Sequence, residues 1–275
     1  MNNLNISRIG CSQGRLIHSH NGELQCFPKD KWQEEFVIAS SCGLNYLELL
    51  AERKHNSRNP IWSDEGLKEI EKCVMLNKLE TYSACLDFII DESIFEGYGI
   101  SNEVLSYTIN FLRKVNKIGI KFVVLPLLET SDPDLFAFKC VTDNLLFLLE
   151  ECEKLHLNLM VESVIDSENL FKILDYINHP LLGCVYDTGN RFEIGDPIKE
   201  INQLSRFIKH IHLKDKRNKQ NVVIGTGCVD FLTIFRNLNK LSYQGSFCFE
   251  TNRGKNPINT MIHNLNFIKY LYKEI

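Results

Sequence analysis

Eight strand-like apolar runs recur along the chain, near positions 6–12, 45–50, 79–86, 120–127, 157–164, 181–187, 207–214 and 245–251. Longer stretches with apolar positions at helical spacing separate them. KWQEEFVIASSCG carries such a stripe and stops at Gly43, and SDEGLKEIEKCVMLN opens on Ser63 and Asp64 as capping candidates. Further helices are predicted near 101–117, 134–155, 167–177, 197–205, 230–239 and 258–273. Alternation of strand and helix over eight units, with no linker or low-complexity tract, predicts an α/β fold, one (β/α)8 TIM-barrel domain over residues 1–275. The rival, an open doubly wound sheet, lacks the GxGxxG turn expected after its first strand.

The alternation inside the later strands separates an apolar face from a polar one. In NLMVESV, Leu157, Leu159 and Val161 share one face while Met160 and Glu162 share the other. Around Asp187 the set Leu182, Cys184 and Tyr186 lies opposite the carboxylate, and in FCFET the rings of Phe247 and Phe249 lie opposite Cys248 and Glu250. FIKHIHLKD brings His212 to a fourth strand end. A barrel strand must turn one face inward. The apolar face is then expected on the helices, and Glu162, Asp187, His212 and Glu250 at the strand ends where barrel active sites lie. Three carboxylates and one imidazole suit one divalent metal ion. The oxygen majority and the lack of a cysteine ligand lean to manganese (Mn2+) or magnesium (Mg2+), with cobalt (Co2+) or zinc (Zn2+) as alternatives. Each acid taken alone fits a solvated strand end or a helix cap equally well, so the weight rests on four residues in register.

Composition narrows the function classes. Hydrophobic residues make up 44% and charged residues 24% of the chain, and the net charge of −4 exerts no pull toward nucleic acid. The ten cysteines include no CxxC pair and several lie in apolar runs, which reads as reduced, core-filling thiols. MNNLNISRIG lacks the pattern of a signal peptide, and no apolar run reaches transmembrane length. The expectation is a cytoplasmic protein with neither a membrane nor a nucleic-acid partner.

The segments VES, YDTGN, HIHLKD, IGTGCVDF and FCFET make the chain similar to the xylose isomerase-like TIM-barrel superfamily of sugar phosphate isomerases and epimerases. Its relatives include tagatose and psicose 3-epimerases, hydroxypyruvate isomerase, inosose dehydratases and, distantly, endonuclease IV. The resemblance implies that Glu162, Asp187, His212 and Glu250 are metal ligands and that Glu162 and Glu250 are also the acid/base pair. Glu48, in NYLELL, matches an acidic residue often found after the second strand of such barrels. The implied activity is isomerisation or epimerisation of a sugar, sugar phosphate or sugar acid in carbohydrate metabolism. The metal polarises a carbonyl and stabilises an enediolate, while two glutamates remove and return the proton. A metal-dependent dehydratase of a keto-sugar or keto-cyclitol shares the proton abstraction. An endonuclease IV-like phosphodiester hydrolase is more distant: Cys85, Asn190 and Asn218 to Gln220 stand in place of added histidine ligands, and an acidic chain suits DNA poorly. A non-enzymatic binding barrel is the remaining class, and the intact four-residue set opposes it.

Candidate substrate contacts are Gln13 and Arg15 at the first strand end, with Glu48, Asn190, Lys214, Arg217 and Arg253. Lys214 shares the parity of His212, so it reaches either a substrate oxygen or a carboxylate, whereas His210 reads as a hydrogen-bonded core residue. The catalytic-side loops hold Arg15, Arg53, Lys54, His55, Arg58, Arg191, Lys216, Arg217, Lys219, Arg253 and Lys255. Together they would favour a small, polyhydroxylated, anionic substrate; solvated loop charge is the plainer reading of any one of them. Gly225 and Gly227 precede a helix, as a phosphate-facing turn or merely a turn. The segments 14–28 and 51–62 are long for βα loops and could form a lid carrying His18, His55 or Trp62. The sequence leaves the sugar, the metal and any homo-oligomer open.

Overall fold

The computed structural model describes residues 4–19, 23–97, 99 and 102–275. Residues 20–22 of the first long loop and residue 101 of the helix expected near 101–117 lie outside that set. Eight parallel strands close into a TIM barrel: β1 (Ile9–Ser12), β2 (Tyr46–Ala51), β3 (Ser83–Leu86), β4 (Phe122–Leu127), β5 (Asn158–Ser163), β6 (Leu182–Asp187), β7 (Ile208–Leu213) and β10 (Ser246–Phe249). β10 pairs back onto β1 to complete the ring. Every barrel strand falls inside its expected window except β2, which runs one residue past it to Ala51. An antiparallel hairpin, β8 (Asp215–Arg217) and β9 (Gln220–Val222), lies between β7 and β10 and was not expected. Its turn residues Asn218 and Lys219 adopt φ of 51° and 62°, and its three-residue strands are too short to show a period.

The surrounding helices are α1 (Trp32–Cys42), α2 (Asp64–Leu76), a one-turn α3 (Phe88–Asp91), α4 (Glu103–Lys117), α5 (Phe138–Leu155), α6 (Ser167–Ile177), α7 (Pro197–Leu204), α8 (Phe231–Lys240) and α9 (Pro257–Lys273). Ser63 caps α2 by accepting from Gly66 N, and Gly43 ends α1 at φ 82°. α5 starts four residues later than expected at 134, because Pro133–Leu135 forms a separate turn capped by Asp132. Among the described residues no helix is long and apolar enough to cross a membrane. All ten cysteines are free thiols.

Strand parity sorts the core into two parts. Leu159, Val161, Cys184, Tyr186, Phe247 and Phe249 pack outward with the helices, while Leu50, Cys85, Val124, Met160 and Val185 form a small cluster inside the barrel. Tyr46 fills the interior at the other end. Its ring lies where a side chain on Gly10 would be, and its hydroxyl donates to Phe247 O at 2.8 Å. The polar positions Ser12, Glu48, Ser83, His210 and His212 occupy the interior nearer the C-terminal mouth.

The loop after β1 is held from below by one buried acid. Glu35 of α1 accepts from Gly14 N through both oxygens, at 2.9 and 2.8 Å, and from Leu16 N at 3.0 Å. That grip sets the position of Arg15 between them. Burial raises the Glu35 carboxyl to about 7, against the opposing pull of the loop amides.

Two outcomes are predicted. In Gly10→Ala the new Cβ would lie 2.3 Å from the pinned Tyr46 ring. Urea unfolding should show a loss of about 1–3 kcal/mol, and an unchanged midpoint would contradict the plug. Because Glu35 holds its proton to higher pH when folded than when unfolded, its contribution is present at low pH and is lost as pH rises from 4.5 to about 7. The total is on the order of 3 kcal/mol. Stability measured from pH 5 to 8 should therefore fall less in Glu35→Gln than in wild type, and parallel curves would contradict the assignment.

Candidate metal centre

Closing the barrel brings the four inward residues onto consecutive strands. Asp187 of β6 is in register with His212 of β7, which is in register with Cys248 of β10. Glu162 lies in the next strand round, β5, and Glu250 follows β10, tied down by its backbone N–H to Leu213 O at 3.1 Å. One ligand atom from each of Glu162, Asp187, His212 and Glu250 lies within 4.8 Å of all the others. His212 Nδ1 is 3.0 Å from Glu250 Oε2 and 3.4 Å from Glu162 Oε2.

Each acid is steered by a specific neighbour. Asp187 Oδ1 accepts from Gly189 N at 2.8 Å and Asn190 N at 2.7 Å, leaving Oδ2 for the site. Asn190 Nδ2 donates to Glu162 Oε1 at 2.9 Å. Lys214 Nζ lies 2.7 Å from Asp187 Oδ2 and 3.0 Å from Glu250 Oε2, while Arg15 Nη2 donates to Glu250 Oε1 at 3.1 Å and also to Gln25. These surroundings drive the two glutamates apart. Burial, reinforced by Asp187 and Glu250, raises Glu162 above the usual carboxylate range despite His212. Burial also opposes ionisation of Glu250, but Lys214, His212 and Arg15 outweigh it and hold that group well below the usual range.

The donor set fits a divalent cation. His212 Nδ1, His212 Nε2 and Asp187 Oδ2 are buried without an aligned hydrogen bond, although charged neighbours stand close to all three. Donors sharing an ion bound at about 2.1 Å are themselves separated by roughly 3 Å, the spacing seen around His212. Three carboxylate oxygens and one imidazole nitrogen match the preferences of magnesium, manganese or zinc.

The cavity above this cluster, about 200 Å³, is bordered by Glu162, His212, Glu250, Lys214, Asn190 and Asp87. It shares Leu24, Gln25, Arg53 and Asp87 with an outer chamber of about 910 Å³ between the loops after β1 and β2. Arg15 and Glu48 also border the inner cavity. Gln13, Arg217 and Arg253 do not line it. Gln13 Oε1 accepts from Leu50 N, and Arg253 donates to Gly14 O at 2.6 Å and Glu23 O at 2.7 Å, so both brace loops. Arg217 stands exposed on the hairpin. His210 is buried, with Nδ1 2.6 Å from Ser246 Oγ and Nε2 3.1 Å from Glu48 Oε2.

Several expected bases serve the scaffold. Arg191 is buried against both oxygens of Glu200, at 3.0 and 2.8 Å, and against the carbonyls of Ser163 and Ile165. Arg53 pairs with Asp91 at 2.9 Å and with Glu129. The amides of Gly225 and Gly227, considered for a phosphate, instead bind Asp215 Oδ2 at 2.9 and 2.8 Å. A carboxylate from the same loop already fills that cradle. In the other long loop, His55 Nδ1 meets the Tyr107 hydroxyl at 2.9 Å and Trp62 stacks on the same ring, which fastens this segment to α4. Sequence reasoning missed Asp87. It ends CLD after β3 with the same strand-end signal as the others, and burial with the Glu250 charge raises it to about 7.

Comparison with known proteins agrees with this architecture. The fold of D-psicose 3-epimerase from Clostridium cellulolyticum H10, solved with D-tagatose, superposes with a TM-score of 0.76 at 13% identity, covering 96% of this chain and 99% of that one. IOLI protein with a bound zinc atom superposes with a TM-score of 0.73 at 14% identity, covering 97% and 98%. In sequence, the chain is 25% identical over 269 residues to an Escherichia coli K12 protein provisionally named L-ribulose-5-phosphate 3-epimerase SgbU, covering 88% of this chain and 92% of that one. It is 26% identical over 125 residues to inosose dehydratase of Clostridium beijerinckii, covering 38% and 42%. The family model for the xylose isomerase-like TIM barrel matches residues 36–271, and the chain belongs to that family.

Proposed function

We propose that this protein is a divalent-metal-dependent sugar isomerase or epimerase that moves a proton beside a carbonyl, with Glu162 and Glu250 as its acid and base. The observation that carries the reading is the pair of glutamates flanking His212 at the cavity floor, 3.4 and 3.0 Å from its Nδ1. Glu162, Asp187, His212 and Glu250 would hold the ion, which when bound polarises a carbonyl oxygen and acidifies the neighbouring C–H. One glutamate removes that proton and the other returns one, to the opposite face for epimerisation or to the adjacent carbon for isomerisation. Asn190 orients Glu162, while Arg15 and Lys214 keep Glu250 ionised and aimed inward.

The names of the E. coli relative and of the psicose epimerase support a polyhydroxylated substrate. Support for an anionic substrate is narrower than the loop sequences suggest, because Arg15, Arg191 and Arg253 are engaged internally. The outer chamber retains Lys29, Lys54 and Arg58, beside Glu23 and Glu52. Dehydration next to a carbonyl is a second reading, favoured by the partial match to inosose dehydratase.

The test is solvent deuterium incorporation into ketoses, aldoses, their phosphates and sugar acids, with manganese present and then chelated. Metal-dependent exchange at a carbon beside the carbonyl is expected, and Glu162→Gln or Glu250→Gln should each lower it by about 100-fold or more while retaining the native circular dichroism. Full exchange in both variants would contradict the acid/base assignment. Release of an unsaturated product would move the reading to dehydration.

A further inference from the structure

We infer that Glu48 is a positioning residue for His212: with an ion bound, its carboxylate accepts from the ring's Nε2–H inside the barrel and leaves the Nδ1 lone pair for that ion, held with Glu162, Asp187 and Glu250. The inference rests on the metal-centre reading above.

Glu48 lies in β2 across the barrel from β7, 1% exposed, with both carboxylate oxygens engaged. Its Oε1 lies 3.0 Å from His212 Nε2, a close contact outside hydrogen-bond alignment in the ion-free site, and also accepts from Ser12 Oγ at 3.5 Å. Its Oε2 accepts from Ser83 Oγ at 2.8 Å and lies 3.1 Å from His210 Nε2. Ser246 Oγ, 2.6 Å from His210 Nδ1, can donate there and so leave the His210 proton on Nε2, directed at Glu48. Four strands beyond β2 therefore fix this carboxylate: β1 through Ser12, β3 through Ser83, β7 through His210, and β10 through Cys248, with Ser246 behind His210.

The chemistry follows from proton counting. A neutral imidazole carries one proton for two nitrogens. In His212 one nitrogen faces the anchored Glu48 and the other faces Glu162 and Glu250. A cation among the outer acids disfavours a proton on Nδ1, so the remaining proton belongs on Nε2, beside the buried acceptor. A carboxylate behind a ligating histidine fixes ring orientation and tautomer and raises the basicity of the ligand. Glu48 was read from sequence as a substrate contact. It borders the cavity, but its oxygens are directed to the two histidines and Ser83.

The same atoms admit one rival arrangement. Glu48, His210, His212 and Cys248 also place ligand atoms within 4.8 Å of one another, a grouping that could hold a second ion. The bonds to Ser83 and Ser246 already close that network, which favours the positioning role.

The experiment uses chelator-stripped full-length protein. Manganese affinity and stoichiometry are measured by titration calorimetry for wild type, Glu48→Gln and Glu48→Asp, together with thermal unfolding of each metal-free protein. Wild type should bind one ion per chain. Glu48→Gln should bind it about 10–100-fold more weakly, with Glu48→Asp recovering part of the loss. On zinc-loaded wild type, nitrogen-15 spectra should show His212 protonated at Nε2, a readout that stands even if the Gln variant does not fold. Equal affinity in a folded Glu48→Gln, or a proton at Nδ1, would overturn the inference. Two ions per chain would replace it with a second metal site. A wild type that binds no divalent ion would overturn the metal centre itself, and this inference with it.

Discussion

Burying four carboxylates at one end of a barrel is the constraint around which the rest is arranged. Glu48, Glu162, Asp187 and Glu250 cannot all remain ionised in a dry interior without compensating charge, because like charges repel strongly where water does not screen them. His212 stands at the centre of the arrangement. One ring nitrogen faces Glu48 and the other faces Glu162 and Glu250, and in the ion-free site the combined pull of the carboxylates raises its pKa well above the ordinary histidine value, against its own burial. Lys214 and Arg15 supply further positive charge from above. A divalent ion among the outer three acids is the natural completion of that balance.

The loops over the site are fixed by buried side chains bonded to backbone groups or to one another. Glu35 holds the loop after β1, Asp215 holds the turn after the hairpin, and the Arg191–Glu200 pair ties the loop after β6 to α7. Arg253 crosses from the loop after β10 to the loop after β1. Removing one member of a buried pair leaves an uncompensated charge, at a cost of about 3–5 kcal/mol. These buried anchors give the cavity a stable wall, and they account for Arg191 and Arg253 among the basic residues around it.

Strand parity was legible in the sequence because it depends only on alternation. It separated Met160 and Glu162 from Leu159 and Val161, and it set Asp187 and Glu250 at the ends of their strands. The eight-unit barrel followed from the same signal with the helical spacing between strands. Partners across the barrel were not legible, since chain spacing says which way a side chain points and nothing about which residue meets it. Thus Glu48 was linked to a substrate although His210, His212 and Ser83 surround it, and Arg253 was linked to a substrate although it grips the carbonyls of Gly14 and Glu23. The amides of Gly225 and Gly227 invited a phosphate because Asp215, ten residues before Gly225, gives no local sign that it folds back onto them.

The central claim is that the outer acids and His212 form one cation site. Anomalous diffraction at the manganese edge, from crystals grown with manganese, tests it most directly. The account predicts a single strong peak within bonding distance of Glu162, Asp187, His212 and Glu250. A peak lodged instead among Glu48, His210 and Cys248, or no peak at either place with manganese in excess, would contradict it.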